Sequence, residues 1–315
     1  MSKKPGRRIL VAVDGSVYST NAIRYLCTLF KGVTTIHFHL FAVVAAGSLP
    51  DAGREWLDET TLMNTLAPEA RSRVARMKQV MADAQARMTR MGIGADQISD
   101  QVRVSRMGVA ADILHEARHG LYDALVIGRR GLGKIEELFM GSVSAAILGR
   151  CHDVPVWIVD KTVESTSILV PVDGSLHSLL AVDHLAFIMG DNPNVEITLF
   201  HSSAMLADRQ QPNPEEFYAH WEKSWCDRYL GGKDSLYEAP KQLLLQAGFP
   251  EEKIQWLHAF KGIEPARQII RQALLDDFGT IVMGRRSDES ARGLLHSISD
   301  RVVFMVENTA LWIVG

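Results

Sequence analysis

The amino-acid sequence contains one pattern twice. ILVAVDGS begins at Ile9 and ILVPVDGS begins at Ile168, which separates the copies by 168 − 9 = 159 positions. LVIGRR, which begins at Leu125, returns as IVMGRR 156 positions later, and WIV at Trp157 returns 155 positions later. The three matches keep their order at nearly one offset, and the period is too long for a solenoid repeat. The sequence therefore predicts two complete domains in tandem.

The boundary between the copies is a polar segment. KTVESTS, residues 161–167, separates the apolar end of the first copy from the apolar start of the second. Each copy is then about the typical size of one domain. We expect domains at residues 1–160 and 161–315.

Within the first copy, short apolar runs alternate with longer helical patterns. The strands are mostly apolar along their length, as expected where helices cover both faces of a parallel sheet. Such alternation predicts two doubly wound, Rossmann-like α/β domains, each with a five-stranded parallel sheet flanked by helices. The expected strands are Ile9–Val13, Thr35–Ala42, Gln101–Ser105, Ala124–Gly128 and Val154–Val159, and the expected helices are Ser19–Phe30, Pro68–Met91, Ala110–Arg118 and Gly141–Gly149.

Composition excludes several classes of protein. With 47% hydrophobic and 23% charged residues, the chain is not disordered, collagen-like or a coiled-coil rod. Its net charge of −3 argues against a nucleic-acid binder. Residues 1–160 carry a net +4 and residues 161–315 a net −7, so the total hides an asymmetry between the copies.

Targeting signals and cysteine usage predict a cytoplasmic protein. The most apolar stretch, Phe38–Ala46, is far shorter than the roughly 20 residues of a membrane helix. MSKKPGRR at the N-terminus is not followed by an apolar signal core. Cys27, Cys151 and Cys226 are scattered and odd in number, which predicts neither a disulfide framework nor a metal site.

Glycines and cations follow the predicted strand ends. Doubly wound sheets bind ligands at the carboxyl ends of their strands, and Asp14 ends the first strand. Glycines allow close approach of the backbone, and a helix N-terminus offers unpaired N–H groups to a phosphate. The residues that suit a phosphate chain are Gly128, Arg129, Arg130, Gly131, Lys134, Gly141 and Ser142.

The spacing Gly128-x2-Gly131-x9-Gly141-Ser142 resembles the G-x2-G-x9-G-[S/T] signature of the ATP-binding universal stress proteins. VAVDGS and VPVWIVD are similar to that family too, and the resemblance covers both copies. It implies a tandem member with a regulatory, stress-response role and ATP across the carboxyl ends of the strands, together with Mg²⁺. By position, it implies Ala12, Val13 and Asp14 beside adenine and ribose, Leu40 near adenine, Ile127 and Gly128 beside the ribose, and Gly131, Gly141, Ser142 and Val143 on the phosphates. The charge of Arg129 is expected to lie near the phosphates.

The resemblance also bears on activity and assembly. The constellation contains donors but no evident general base, so any ATPase activity is expected to be slow. Family members commonly pair through the last strand, which implies an internal pseudo-dimer of the two copies, or a homodimer. The protein partners cannot be read from the sequence.

The second copy departs from the signature. Ser287 and His296 replace the second and third glycines, while Asp288 and Glu289 bring negative charge to the phosphate position. Bulk and charge both oppose phosphate binding. We expect the second copy to bind ATP poorly or not at all, although Asp173 is retained.

A literal H-E-x-x-H, from His115 through Glu116 to His119, suggests a different class, a zinc metallopeptidase. Helical spacing favours coincidence: it places Asp112 with the two histidines on a solvent face, with no clear third ligand. The apolar face is expected to hold Ile113, Leu114, Ala117 and Leu121. A third alternative is an interaction scaffold that has lost nucleotide binding.

Three further patterns have ordinary structural explanations beside functional ones. His37 and His39 share a strand face and suit packing better than a metal. A basic helix is interpreted as a solvated face, and an aromatic run as packing rather than a partner surface. The basic residues are Arg71, Arg73, Arg76, Lys78, Arg87 and Arg90, and the aromatic ones are Phe217, Tyr218, Trp221, Trp225 and Tyr229.

Overall fold

The computed structural model describes residues 6–45, 66–130, 140–202, 212–258, 264–286 and 297–315. The chain forms two compact units, Met1–Thr162 (unit 1) and Val163–Gly315 (unit 2). Several residues singled out above lie outside the described residues: Gly131, Lys134, Ser287, Asp288, Glu289 and His296.

Unit 1 is a parallel sheet with the strand order β3-β2-β1-β4-β5. Strand order reverses between β1 and β4, which is where ligands bind in doubly wound sheets. Its strands are β1 (Arg7–Ala12), β2 (Ile36–Val44), β3 (Ile98–Val104), β4 (Ala124–Gly128) and β5 (Val156–Val159). Its helices are α1 (Val17–Leu29), α2 (Pro68–Arg90), α3 (Val109–His119) and α4 (Ser142–Leu148).

Unit 2 repeats this arrangement with the strand order β10-β9-β6-β7-β8, again parallel. Its strands are β6 (Ser167–Pro171), β7 (Glu196–His201), β8 (Ile254–His258), β9 (Thr280–Gly284) and β10 (Ala310–Val314). Its helices are α5 (Leu176–Met189), α6 (Lys223–Tyr229), α7 (Ser235–Gln246), α8 (Pro265–Leu275) and α9 (Ile298–Met305). The predicted fold, two tandem five-stranded α/β domains, is confirmed.

The core of each unit lies between its sheet and its helices. In unit 1 the fully buried Phe30 contacts Phe38 and Trp157, with ring centroids 5.8 and 6.2 Å away. In unit 2 the equivalent tryptophan, Trp312, is also fully buried. Burial of such large rings stabilises each sheet against its helices.

The Asp-Gly-Ser turn after the first strand has the same structure in both units. Gly15 has φ 79° and Gly174 has φ 80°, a region that favours glycine. Ser16 then caps α1 by accepting from the backbone N–H of Ser19 at 3.2 Å, and Ser175 caps α5 in the same way. The repeated VDGS therefore has a structural role, which is to start the first helix of each unit.

The aromatic run of unit 2 is not one helix. A 3₁₀ turn at Pro214–Phe217 is followed by α6, which begins at Lys223. Trp221 lies between them and contacts Phe217 and Trp225, with ring centroids 6.1 and 5.9 Å away. The ring contacts support the packing interpretation. Within the described part of the chain, no helix is both long and apolar enough to cross a membrane.

Candidate functional site

A cavity of about 250 Å³ lies in unit 1 at the carboxyl ends of β1 and β4. One end has an apolar wall from β2 and α3, formed by Val43, Val109 and Ile113. The other end has Ser142 and Arg130, where α4 begins. Asp14 is the one carboxylate among the described lining residues. Because β2 and β4 flank β1 on opposite sides, Val43 and Arg130 lie towards opposite sides of the cavity, and the side at α4 also has the apolar Met140, Val143 and Ile147.

Most of the predicted site residues meet in this cavity. The lining includes Ala12, Val13, Asp14, Ile127, Gly128, Gly141, Ser142 and Val143. They come from three distant segments of the chain, which the sheet topology brings to one edge. Gly128 is needed for packing as well, because a Cβ there would lie 2.9 Å from the Cβ of Tyr18.

Leu40 and Arg129 are placed differently from the expectation. Leu40 is fully buried in the middle of β2, because the strand continues to Val44, and Val43 reaches the cavity instead. The Arg129 side chain is buried, and its guanidinium lies 3.9 Å from the Asp160 carboxylate. Gly131 lies outside the described residues.

Arg130, rather than Arg129, lines the cavity. Its Nε is buried and has no hydrogen-bond partner among the residues that the structure describes. Its guanidinium carbon lies 6.0 Å from the centre of the Tyr18 ring, a distant cation–π contact. A buried donor of this kind is costly unless it is satisfied, so Arg130 is suited to an anionic ligand.

The apolar wall was not predicted from the sequence. Val43 lies on the same face of β2 as His39. The alternation of side chains between the two faces of a strand is the sequence signal that could have identified Val43. Val109 and Ile113 come from a helix that the sequence does not relate to the glycine signature. Their position became visible only through the contact of α3 with β2.

Unit 2 has a cavity of about 230 Å³ in the equivalent place. Its described lining includes the polar residues Asp173, Ser175, His177, Arg286, Ser297 and Ser299 beside the apolar Pro171, Met283 and Ile298. None of the lining residues that the structure describes comes from β7 or α8, which correspond to the apolar wall of unit 1.

The helices beside the two cavities begin differently. At α9, Ser297 Oγ accepts from the backbone N–H of Asp300 at 3.0 Å, and the Asp300 carboxylate accepts from the Ser297 N–H, a capping box. Asp300 also lies 3.6 Å from Arg285. At α4 the N-cap is Gly141, and Ala145 occupies the position of Asp300 when the WIV segments are aligned. Unit 2 therefore has its own carboxylate where unit 1 has none.

The H-E-x-x-H segment forms no metal centre within the described residues, which contain no group of three or more His, Cys, Asp or Glu that could hold a metal. Glu116 pairs with Arg103 at 2.8 Å. His119 Nδ1 lies 2.8 Å from the His115 carbonyl oxygen. Glu116, which would act as the base, is thus already engaged in an ion pair with the protein itself.

Two expectations about α3 were wrong. Asp112 is buried, not on the solvent face, since its carboxylate accepts hydrogen bonds from the turn before the helix. Leu121 is 80% exposed and does not share the apolar face, because α3 ends at His119 and Leu121 has φ 52°. Helical periodicity does not show where a helix ends or where a capping side chain turns back.

His39 lies in a cluster of rings and charges on β2. Its ring is 5.7 Å from Tyr122, and its Nδ1 is 2.8 Å from Ser99 Oγ. Burial lowers the pKa of His39, with Glu116 opposing that shift. Burial and Glu116 together raise the pKa of Tyr122 to about 12. The neutral form of His39 is therefore favoured, and its ring contact with Tyr122 agrees with the packing interpretation.

The basic residues of α2 are mostly on its outer face. Arg71, Arg73, Arg76, Lys78 and Arg90 are exposed. The buried face consists of Ala70, Val74, Met81, Ala84 and Met88. This arrangement agrees with a solvated helix face.

Fold and cavity together define a protein with two doubly wound α/β units and a ligand-sized cavity at the strand ends. A family model described as the universal stress protein family matches residues 6–160 and again residues 164–304. The chain therefore belongs to the universal stress protein family, as a tandem member. No curated protein matches the chain significantly.

Two solved structures of low sequence identity that cover nearly the whole chain share the fold. A universal stress protein from Archaeoglobus fulgidus DSM 4304 is 16% identical, with 98% of this chain and 97% of that chain covered and a TM-score of 0.61. A functionally unknown protein from Pseudomonas aeruginosa PAO1 is 14% identical, with 98% and 92% covered and a TM-score of 0.51. A universal stress protein in complex with cAMP is 20% identical over 50% of this chain and 98% of that chain, with a TM-score of 0.34.

Proposed function

We propose that unit 1 binds ATP and that the protein acts as a nucleotide-dependent regulator in a stress response. The observation that carries this proposal is the two-ended cavity of unit 1. Its apolar wall suits a nucleobase, and its opposite end, with Ser142 and Arg130, suits phosphates. Asp14 lies among the lining residues as an acceptor for ribose hydroxyls.

Each end of the cavity would make a different contribution. Adenine would pack against Val43, Val109 and Ile113. Removal of these apolar surfaces from water would contribute favourable free energy to binding. Ser142 would donate its hydroxyl, and Arg130 would pair its guanidinium with phosphate oxygens. The unsatisfied Nε of Arg130 gives the phosphate end a donor without a competing protein acceptor in the described region.

Mg²⁺ would accompany the triphosphate rather than occupy a separate protein site. Magnesium keeps several waters and binds through phosphates plus one or two carboxylates. The described lining of unit 1 has one carboxylate, Asp14, which is too few for a dedicated metal cage. Mg²⁺ would supply charge neutralisation for the phosphates.

ATP would be a regulatory ligand more than a substrate. Among the described lining residues, no histidine or glutamate is placed to act as general base on a water. Any hydrolysis is expected to be slow, and binding would change the population of conformations that partners recognise.

Isothermal titration with Mg·ATP tests the proposal. We expect one site per chain, and mass spectrometry of released nucleotide is expected to find adenine nucleotide in the purified protein. Arg130→Gln should weaken binding by about tenfold, as expected for loss of a charged hydrogen bond. Arg286→Gln, the equivalent change in unit 2, is the matched control and should have no effect.

Two results would contradict the proposal. Absence of binding for ATP, ADP, AMP and cAMP would favour the interaction scaffold. Two equivalent ATP sites per chain would contradict the assignment to unit 1 alone.

A further inference from the structure

The two units differ at one helix position that faces the end of the second strand. Val11 pairs with Leu40 in β1–β2, and the repeat-equivalent Val170 pairs with Leu199 in β6–β7. This register makes Val43 equivalent to Ser202. Helices α3 and α8 both have 11 residues and are 156 positions apart, so Asp112 corresponds to Gln268.

In unit 1, Asp112 is directed to the turn that precedes its own helix. Its carboxylate accepts from Ser105 Oγ at 2.8 Å and from the Arg106 N–H at 3.0 Å. The turn is tied to β2 by the Ser105 N–H, which donates to the Val44 carbonyl at 2.9 Å. Asp112 is only 2% exposed, so the carboxylate is fully committed to this turn. The space beside Val43 stays part of the cavity.

In unit 2, Gln268 reaches the strand end instead. Ser202 Oγ donates a hydrogen bond to Gln268 Oε1, and Ser202 is completely buried. Ile269, the equivalent of Ile113, is also completely buried. The described lining of the unit 2 cavity accordingly contains no residue from β7 or α8.

We propose that this helix position, Asp112 in unit 1 and Gln268 in unit 2, determines whether the base end of each cavity is open, and so whether a unit accepts a ligand with a nucleobase. The inference rests on the proposed function for its ligand, ATP. Asp112 is a positioning residue: it does not line the cavity but leaves the apolar wall accessible. The described part of unit 2 lacks the lining that β2 and α3 supply in unit 1, which suits ligands without a base.

The first experiment transfers the pair of unit 2 into unit 1. Val43→Ser with Asp112→Gln should lower the affinity for ATP by about tenfold or more. Affinity for inorganic tripolyphosphate, which has no base, should stay within about twofold, because the polar end is untouched. The matched control, Ser202→Val with Gln268→Asp in unit 2, should leave both affinities of unit 1 unchanged.

Comparing ATP with tripolyphosphate distinguishes a role of Asp112 in keeping the apolar wall open from a role in the stability of unit 1 alone. Unchanged ATP affinity in the double variant of unit 1 would overturn the inference. An equal loss for ATP and tripolyphosphate would also overturn it, since it would mean that Asp112 only holds the turn together. Thermal unfolding of the variant checks that unit 1 is folded.

A second experiment needs no nucleotide and so distinguishes failure of this inference from failure of the proposed function. Val43→Cys should react with a small maleimide at least about tenfold faster than Ser202→Cys. Adding Asp112→Gln to Val43→Cys should slow the reaction, and adding Gln268→Ala to Ser202→Cys should accelerate it. Equal rates at positions 43 and 202 would overturn the inference even if unit 1 binds ATP.

The native cysteines should not interfere with the maleimide measurement. Cys27, Cys151 and Cys226 are all buried. Burial raises the pKa of the Cys27 thiol to about 12 and raises the pKa values of Cys151 and Cys226. Wild-type protein is therefore the background control, and its labelling should be slow.

Discussion

The cavities of the two units occupy the same place in the same fold, yet their surroundings differ at both ends. At the polar end, α4 begins at Gly141, whereas α9 has a capping box with the Asp300 carboxylate. At the base end, Val43 lines the cavity of unit 1, whereas Ser202 is sealed by Gln268 in unit 2. The Asp-Gly-Ser turn is the same in both. The duplicated residues that build the turn are thus separable from the residues that would select a ligand.

The net charges of the two units also favour phosphate binding in unit 1 over unit 2. Unit 1 is the positive copy and unit 2 the negative one, with Asp300 contributing at the position of Ala145. A carboxylate beside the cavity opposes a phosphate, while Arg130 in unit 1 favours it. Four predictions test or sharpen the comparison.

The largest effect is expected from a methyl group at Gly284 in unit 2. A Cβ there would lie 2.1 Å from the His177 carbonyl oxygen, which the backbone can relieve only by moving. Gly284→Ala should therefore destabilise unit 2 by about 3 kcal/mol. In unit 1, a Cβ at position 128 would lie 2.9 Å from the Cβ of Tyr18. Gly128→Ala should therefore destabilise unit 1 by less, about 1 to 2 kcal/mol. Hydrogen exchange of peptides from each unit measures both, and equal costs would contradict the difference in packing.

The next effect separates by function the two aspartates that the repeat places at equivalent positions, Asp14 and Asp173. Asp14→Asn keeps an acceptor for the Ser16 N–H, which Asp14 Oδ1 accepts at 2.9 Å, but removes the charge that would hold ribose or cation. ATP affinity should fall by about tenfold. Asp173→Asn in unit 2 preserves the same turn and should leave ATP affinity unchanged. Calorimetric titration compares them, and an equal loss in both would place ATP in both units.

A smaller effect is expected from the capping box of unit 2. Asp300→Ala removes the carboxylate that accepts from Ser297 and faces Arg285. Loss of a cap should destabilise unit 2 by about 1 kcal/mol, with unit 1 and its ATP affinity unaffected. Urea unfolding with hydrogen exchange of α9 measures the cost. A stabilised α9 would mean that Asp300 is retained for another purpose.

The smallest effect concerns pH and His39 of β2. Burial lowers the pKa of His39 in the folded unit below its usual 6.5, so its neutral form is favoured. The stability it contributes is present above pH 6.5 and is lost as the pH falls through the lower folded value. Unit 1 should therefore lose stability on acidification, and His39→Gln should reduce that loss.

The control for the pH experiment lies on the same strand. His37 is exposed, so His37→Gln should leave the pH dependence of thermal unfolding unchanged. Thr198 occupies the position of His39 in unit 2, where burial lowers the pKa of a different histidine, His184, to about 3. An identical pH dependence in His39→Gln and wild-type protein would contradict the role of burial.

Much of the fold and part of the cavity were predictable from the sequence. The repeat, the apolar strands and the glycine signature lead to two doubly wound units and to eight of the lining residues, because these patterns are local in the chain. The residues at which β2 and α3 end were harder to predict from the sequence, since contacts with neighbouring elements decide where a strand or helix stops. This is why Leu40 was placed at a strand end and Leu121 on a helix face.

The sequence by itself determined the duplication, the parallel α/β architecture and the polar strand ends, since hydrophobic periodicity and turn residues act over short distances. Only the tertiary structure decided which side chains meet across the sheet. Val43 and Ile113 are 70 positions apart, yet both line one cavity. Asp112 and Gln268 occupy the same helix position but turn to different partners. The direction in which a side chain points depends on the residues that surround it in the folded protein. Repeated sequence positions do not reveal that direction.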